Sequence, residues 1–136
     1  MIKIKIYTVG KTKKNWLEVA LAEYHKRLTG EMTIEWVIAK ELQPPKENSY
    51  ICLDPQGKQY SSPEFASFLE KESIQAGAKL TFVIGGPEGI PEEMRAKASH
   101  LISFSKLTFT HQIARLILLE QLYRSVQIQR GTKYHK

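Results

Sequence analysis

Directly after Met1 the chain alternates, with Ile2, Ile4 and Ile6 apolar and Lys3 and Lys5 charged between them. A period of two sends successive side chains to opposite faces, so the pattern predicts a strand with one buried face. Val9-Gly10-Lys11 turns the chain. Asn15 stands where it would cap a helix to about Leu28, with Trp16, Val19, Ala20 and Tyr24 at helical spacing. Gly30 ends that helix, and Thr33 to Ile38 reads as a second strand. The link from Ala39 to Asn48 is polar and contains Pro44 and Pro45, which lack the N–H that a helix needs. Tyr50 to Leu53 forms a third strand, short and buried.

Ser61-Ser62-Pro63-Glu64 is a helix start: a hydroxyl cap, an early proline and an acid three residues after the cap. Phe65, Phe68 and Leu69 follow, and Gly77 punctuates. Leu80 to Ile84 has almost no polar alternation, as expected of a strand covered on both faces. Pro91-Glu92-Glu93 opens a short helix with acids at its positive end. Leu101-Ile102 gives a brief fifth strand, and Gln112 to about Ile128 the longest helix. Strands alternating with helices predict an α/β fold with a largely parallel sheet, in one domain of residues 1–136. Parallel crossovers take roughly a dozen residues or more. The 39–48 link is shorter, so the second and third strands are not expected to be crossover-linked neighbours.

The last helix carries more apolar surface than one stripe. Ile113, Leu116, Ile117, Leu118, Leu119, Leu122, Tyr123 and Val126 cover well over half its circumference. One face can pack on the sheet; a homodimer interface is expected to cover the other.

Composition places the chain among ordinary globular domains, with 42% hydrophobic and 25% charged residues. Lys and Arg number 20 against 14 Asp and Glu, a net charge of +6 that favours polyanionic partners. The cations gather at Lys3, Lys5, Lys11, Lys13, Lys14, Lys26 and Arg27, and again at Arg124, Arg130, Lys133 and Lys136. Either a shared binding face or a solvated surface fits that distribution. The single cysteine, Cys52, sits in an apolar run and reads as a buried structural thiol, which suits a reducing compartment. No run approaches the roughly 20 apolar residues that span a bilayer. The alternating N-terminus is unlike a signal core, and a soluble cytoplasmic protein is expected.

Candidate chemistry concentrates in the C-terminal half. Gly85-Gly86-Pro87-Glu88-Gly89 follows a strand and precedes a helix, where α/β folds bind ligands through close backbone approach. It lacks the Gly-Lys-Ser/Thr ending of a phosphate loop and the dinucleotide glycine spacing, and Glu88 would repel phosphate. A neutral or cationic ligand suits it better, with a purely structural turn as the alternative. Phe104 to Phe109 could sandwich a purine ring or simply join the core. His111, at the start of the last helix, faces a positive dipole end that disfavours its protonation. Glu120 and Arg124 are spaced i, i+4 in the favourable order. The tail from Gly131 to Lys136 could fray or fold over a site, bringing a stacking ring, an imidazole and a phosphate contact. No Cys/His cluster, serine triad or carboxylate pair stands out, so no metal is expected.

Several segments resemble the SPOUT methyltransferases, and within them the small enzymes that modify a pseudouridine of large-subunit ribosomal RNA. They are Lys3-Ile-Lys-Ile-Tyr-Thr-Val-Gly-Lys11, Glu23-Tyr-His-Lys-Arg27, Leu53-Asp-Pro-Gln-Gly-Lys58, Ser61-Ser-Pro-Glu-Phe-Ala66, Phe82-Val-Ile-Gly-Gly-Pro-Glu-Gly89, Ser103-Phe-Ser-Lys-Leu-Thr-Phe109, Leu118-Leu-Glu-Gln-Leu-Tyr-Arg124 and Tyr134-His-Lys136. The resemblance implies a deep C-terminal trefoil knot over residues of about 80–136, a homodimer, and S-adenosylmethionine as methyl donor. It also implies methyl transfer to N3 of a pseudouridine in 23S rRNA on the ribosome. Carried over by position, Leu53, Gly85, Phe104, Ser105, Lys106, Leu107, Thr108 and Phe109 form the donor pocket. Glu120, Arg124, Tyr134 and His135 match residues expected near the target nucleotide, where Arg124 would orient the base, Tyr134 would stack on it, and His135 or a neighbour would assist loss of the N3 proton. The rival expectation is a ribosome- or RNA-binding module that keeps the fold without catalysis. Thr110 stands where the family usually has proline and can cap the helix instead. The 39–48 link stands where relatives commonly carry a further helix.

Overall fold

The computed structural model describes residues 1–135; the phosphate contact expected of Lys136 lies outside them. The elements run β1 (Ile2–Val9), α1 (Asn15–Leu28), β2 (Met32–Ala39), β3 (Ile51–Gln59), α2 (Ser62–Gln75), β4 (Lys79–Ile84), α3 (Glu92–Lys97), β5 (His100–Ser103) and α4 (His111–Arg130). All five strands pair in parallel, in the order β2-β1-β4-β3-β5. β1 and β4 stand between β2 and β3, as the short link requires.

Two clusters of side chains bury the two faces of the sheet. The larger joins Ile4, Ile6, Phe82 and Ile84 to Leu17, Leu21 and Leu28 of α1, Phe65 and Leu69 of α2, and Leu118, Leu119, Leu122 and Val126 of α4. The smaller joins Tyr7, Cys52 and Val83 to Ile90 and Met94 around α3. The 39–48 link lies over this second face. There Tyr7 donates its hydroxyl to Glu47 at 2.8 Å, and Lys5 Nζ reaches the same carboxylate at 3.0 Å. β4 is buried from Leu80 to Ile84, which accounts for a run in which Thr81 is the one polar residue.

Local signals behave as their chemistry dictates at three helix ends. Ser61 accepts from the Glu64 amide at 3.2 Å while Glu64 accepts from the Ser61 amide at 2.8 Å, closing a capping box. Thr110 Oγ1 accepts from the Ile113 amide at 3.2 Å and caps α4. Gly131, at φ 70°, ends that helix in the left-handed region.

α1 departs from expectation. Asn15 is its first helical residue, and Lys14 takes the cap position without a side-chain hydrogen bond. The buried stripe is Leu17, Leu21 and Leu28 beside Tyr24, whereas Trp16 and Val19 are 58% and 71% exposed. Two apolar sets compete on this helix, and the i, i+4, i+7, i+11 set fills the stripe facing the sheet and α4.

β3 is longer than Tyr50 to Leu53. It begins at Ile51 and continues through Pro55 and Gly57, with a register shift between Leu53 and Lys58, both of which pair with Ile102. A Cβ on Gly57 would lie 2.6 Å from the Ile102 nitrogen, so the slip brings two backbones together where only glycine fits.

α4 lies against both α1 and α2 as well as the sheet. Its own chain therefore covers much of the apolar circumference that the sequence suggested for a partner. Ile113, near its start, remains 39% exposed.

Candidate active site at the carboxyl edge of the sheet

β3, β4 and β5 deliver Leu53, Ile84 and Ser103 to one edge, where parallel α/β sheets bind ligands. A cavity of about 770 Å³ opens there, lined mainly by apolar groups from the loops after these strands and from the start of α4. That volume suits a drug-sized or nucleoside-sized ligand.

The floor is the glycine turn. Gly89 donates its amide to the Gly86 carbonyl at 2.9 Å, and Gly89 takes φ +79°. A Cβ on Gly85 would sit 2.7 Å from the Gly89 carbonyl carbon and 2.9 Å from the Ile90 nitrogen. The turn is thus folded tightly on itself and presents bare backbone to the cavity.

One wall is the loop from Ser103 to Thr110, which its own hydroxyls hold in shape. Ser103 Oγ donates to the Ser105 carbonyl at 2.8 Å and accepts from the Ser105 amide at 3.2 Å, and the Leu107 amide donates to Ser105 Oγ at 3.0 Å. Phe104 meets Phe65 edge-on at 6.4 Å, serving core and cavity together.

Leu53, Gly85, Phe104, Ser105, Leu107, Thr108 and Phe109 all line the cavity. Lys106 does not; it is exposed and lies outside the lining. In an irregular loop, sequence adjacency does not set direction. Lining residues not anticipated from the sequence include Lys13, Lys14, Trp16, Asp54 and Gln112. Lys13 and Lys14 were visible only as part of a basic run, and Trp16 only as a presumed core position. Gln112 donates to the Lys11 carbonyl at 3.2 Å, while its Oε1 is buried without a partner. The pKa of His111 is lowered, first by burial and then by the charges of Arg115 and Lys13. Among the described residues, no group of three or more His, Cys, Asp or Glu is disposed to hold a metal ion, and no helix is long and apolar enough to cross a membrane.

The four tail-associated residues do come together, in a second place. Glu120 grips Arg124 through Nε and Nη2, each at 3.1 Å, and accepts the Tyr134 hydroxyl at 2.7 Å. Arg124 Nη1 lies 3.0 Å from His135 Nδ1, and its guanidinium sits 4.9 Å from the Tyr134 ring centre. Tyr134 also packs edge-on to Tyr123 at 4.9 Å. Burial, and then donation to Glu120, raise the Tyr134 pKa. None of the four lines the cavity. From His111 to Arg124 the helix rises about 20 Å at 1.5 Å per residue, so one chain holds its cavity and its tail cluster apart.

A parallel sheet with a glycine turn and a C-terminal loop framing one cavity defines a class, and the family comparison agrees. Residues 2–135 match the family model described as "Predicted SPOUT methyltransferase", and the chain belongs to that family. Among its relatives is a protein of Protochlamydia amoebophila named "Ribosomal RNA large subunit methyltransferase H", 50% identical over 141 residues and covered completely, as is this chain. A Streptococcus uberis protein of the same name is 40% identical over 159 residues, spanning 99% of this chain and 100% of its own. A probable methylase family protein from Haemophilus influenzae shares the fold, with a TM-score of 0.59 at 12% identity, over 99% of this chain and 70% of that one.

Proposed function

We propose that the protein is an S-adenosylmethionine-dependent methyltransferase of large-subunit ribosomal RNA, acting on N3 of a pseudouridine in 23S rRNA. The observation carrying this reading is the cavity formed by Gly85 and the 103–110 loop within a chain of this family. The bound donor supplies an electrophilic methyl group on a sulfonium centre. Gly85 and Ser105 offer backbone to a nucleoside, and Leu53, Phe104 and Phe109 offer apolar surface. Such a displacement depends chiefly on alignment, together with removal of the N3 proton.

The working enzyme in this reading is a homodimer with a knotted C-terminal region. Its support is the separation of the tail cluster from the cavity within one chain, which a second copy would bridge. Trp16, Leu107, Phe109 and Ile113 also leave apolar surface open around the cavity, as a partner would require. The 23S rRNA of the ribosome is the proposed substrate and the cytoplasm the proposed site of action. The net charge of +6 suits an RNA partner.

The test is mass spectrometry of 23S rRNA from cells with and without the gene, paired with calorimetric titration of S-adenosylmethionine. A methylated pseudouridine that disappears with the gene is the expected result. Unchanged rRNA, or no donor binding, would favour an RNA-binding module without catalysis.

A further inference from the structure

The contact between Arg124 and His135 fixes which nitrogen of the imidazole is free. Arg124 Nη1 approaches His135 Nδ1 at 3.0 Å. A guanidinium has only donors, so Nδ1 must present its lone pair and the ring proton resides on Nε2. Arg124 is itself locked, because both Glu120 oxygens hold it at 3.1 Å and Tyr134 occupies one of them at 2.7 Å. Around this group α1 contributes Tyr24 and Arg27; Arg27 stands 5.1 Å from the Tyr24 ring and 5.6 Å from the Tyr123 ring, with Glu23 at 2.8 Å. No proton acceptor is left on the ring.

We propose that His135 meets the target base as a hydrogen-bond donor through Nε2–H, with Arg124 as the positioning residue that holds it in that tautomer. The inference rests on the methyltransferase reading above and replaces the expectation that His135 removes the N3 proton. When N3 of a pseudouridine loses its proton to water, the charge spreads onto the two flanking carbonyl oxygens. An N–H donor at one of those oxygens stabilises the anion. The N3 electron pair then forms the bond to the methyl carbon while the carbon–sulfur pair stays on sulfur. His135 stabilises charge and does not carry the proton away.

His135→Gln retains an N–H donor near the Nε2 position, and His135→Ala has none. Methylation of unmodified ribosomes by the full-length protein should fall less than about tenfold for the glutamine variant, and about a hundredfold or more for alanine. Equal loss in both, with circular dichroism and donor binding unchanged, would overturn the donor role. Independently, long-range proton–nitrogen NMR of the histidine-labelled free protein should show His135 as the Nε2–H tautomer, assigned by its absence from the His135→Gln spectrum. Arg124→Met should return it to a tautomer mixture, a change that mere loss of packing does not produce. An Nδ1–H ring in the wild type, or an unchanged tautomer in Arg124→Met, would overturn the assignment. The NMR needs no substrate, so failure of the wild type to methylate rRNA would count against the methyltransferase reading and leave the tautomer result standing.

Discussion

Arg115 donates through Nη2 to the carbonyls of Val9 and Gly10 at 2.7 and 2.6 Å, from a side chain with no exposure to solvent. Its Nη1 reaches Thr12 Oγ1 at 3.1 Å. The partners are carbonyls and a hydroxyl, and burial pushes the guanidinium pKa down. A cation in such a place ties the β1–α1 loop to the first turns of α4. Lys13 and Lys14, in the same loop, are thereby set at the cavity wall. Arg115→Met leaves two carbonyls without donors and should cost about 2–4 kcal/mol. Urea denaturation measures that loss, and donor affinity should weaken as the loop loosens. Unchanged stability would mean that water replaces the guanidinium without penalty.

Gly85 tests the cavity floor. An added methyl group would press on backbone at 2.7 Å, with no flexible side-chain tip alone to yield. Gly85→Ala should abolish donor binding by calorimetry or prevent folding altogether. Gly86 makes the control: its Cβ would meet only Val9 side-chain atoms, at 3.5 Å and beyond. Gly86→Ala should fold with stability close to wild type.

The elements were legible wherever period and punctuation agreed. The largely apolar run of β4, the Ser61–Glu64 capping box and the Thr110 cap all fall where local chemistry puts them. The far half of β3 was not legible, because Asp54-Pro55-Gln56-Gly57 has the composition of a turn. Only the approach of β5 gives Gly57 its role in a strand. The stripe of α1 was not legible because Trp16 and Val19 compete with Leu17 and Leu21, and periodicity alone does not rank them. Half of the site followed the same division. The glycine turn and the 103–110 loop carry family-specific residues that could be carried over by position. Lys13, Trp16 and Gln112 reach the cavity through tertiary packing, for which one sequence contains no local signal.

Cys52 supplies a pH test. Its thiol is raised from 9.0 to about 12, first by burial and then by the charge of Asp54. A group raised on folding contributes stability that is fully present below its unfolded value and lost as pH rises through the folded one. Stability from this source should therefore hold up to about pH 9 and decline toward pH 12. Cys52→Ala should flatten that alkaline decline at a cost of about 1–2 kcal/mol for the small cavity. The native thiol should also resist a disulfide reagent at pH 8 and react on unfolding. Rapid native labelling would contradict its burial.

Tyr134 separates stacking from tethering. Its hydroxyl donates to Glu120 at 2.7 Å, while its ring packs on Tyr123 and over the Arg124 guanidinium. Tyr134→Phe keeps the ring and removes the tether, leaving Glu120 held by Arg124 alone at that oxygen. A net hydrogen bond to a charged acceptor contributes about 1.5–3 kcal/mol, so the tail should loosen while the domain core stays intact. If the tail addresses RNA and the cavity addresses the donor, KM for ribosomes should rise several-fold. The dissociation constant for S-adenosylmethionine should stay within about twofold. Steady-state kinetics and calorimetry on one preparation measure both. A fall in donor affinity matching the loss toward RNA would mean that the tail closes over the donor instead, and that the two clusters act as a single pocket.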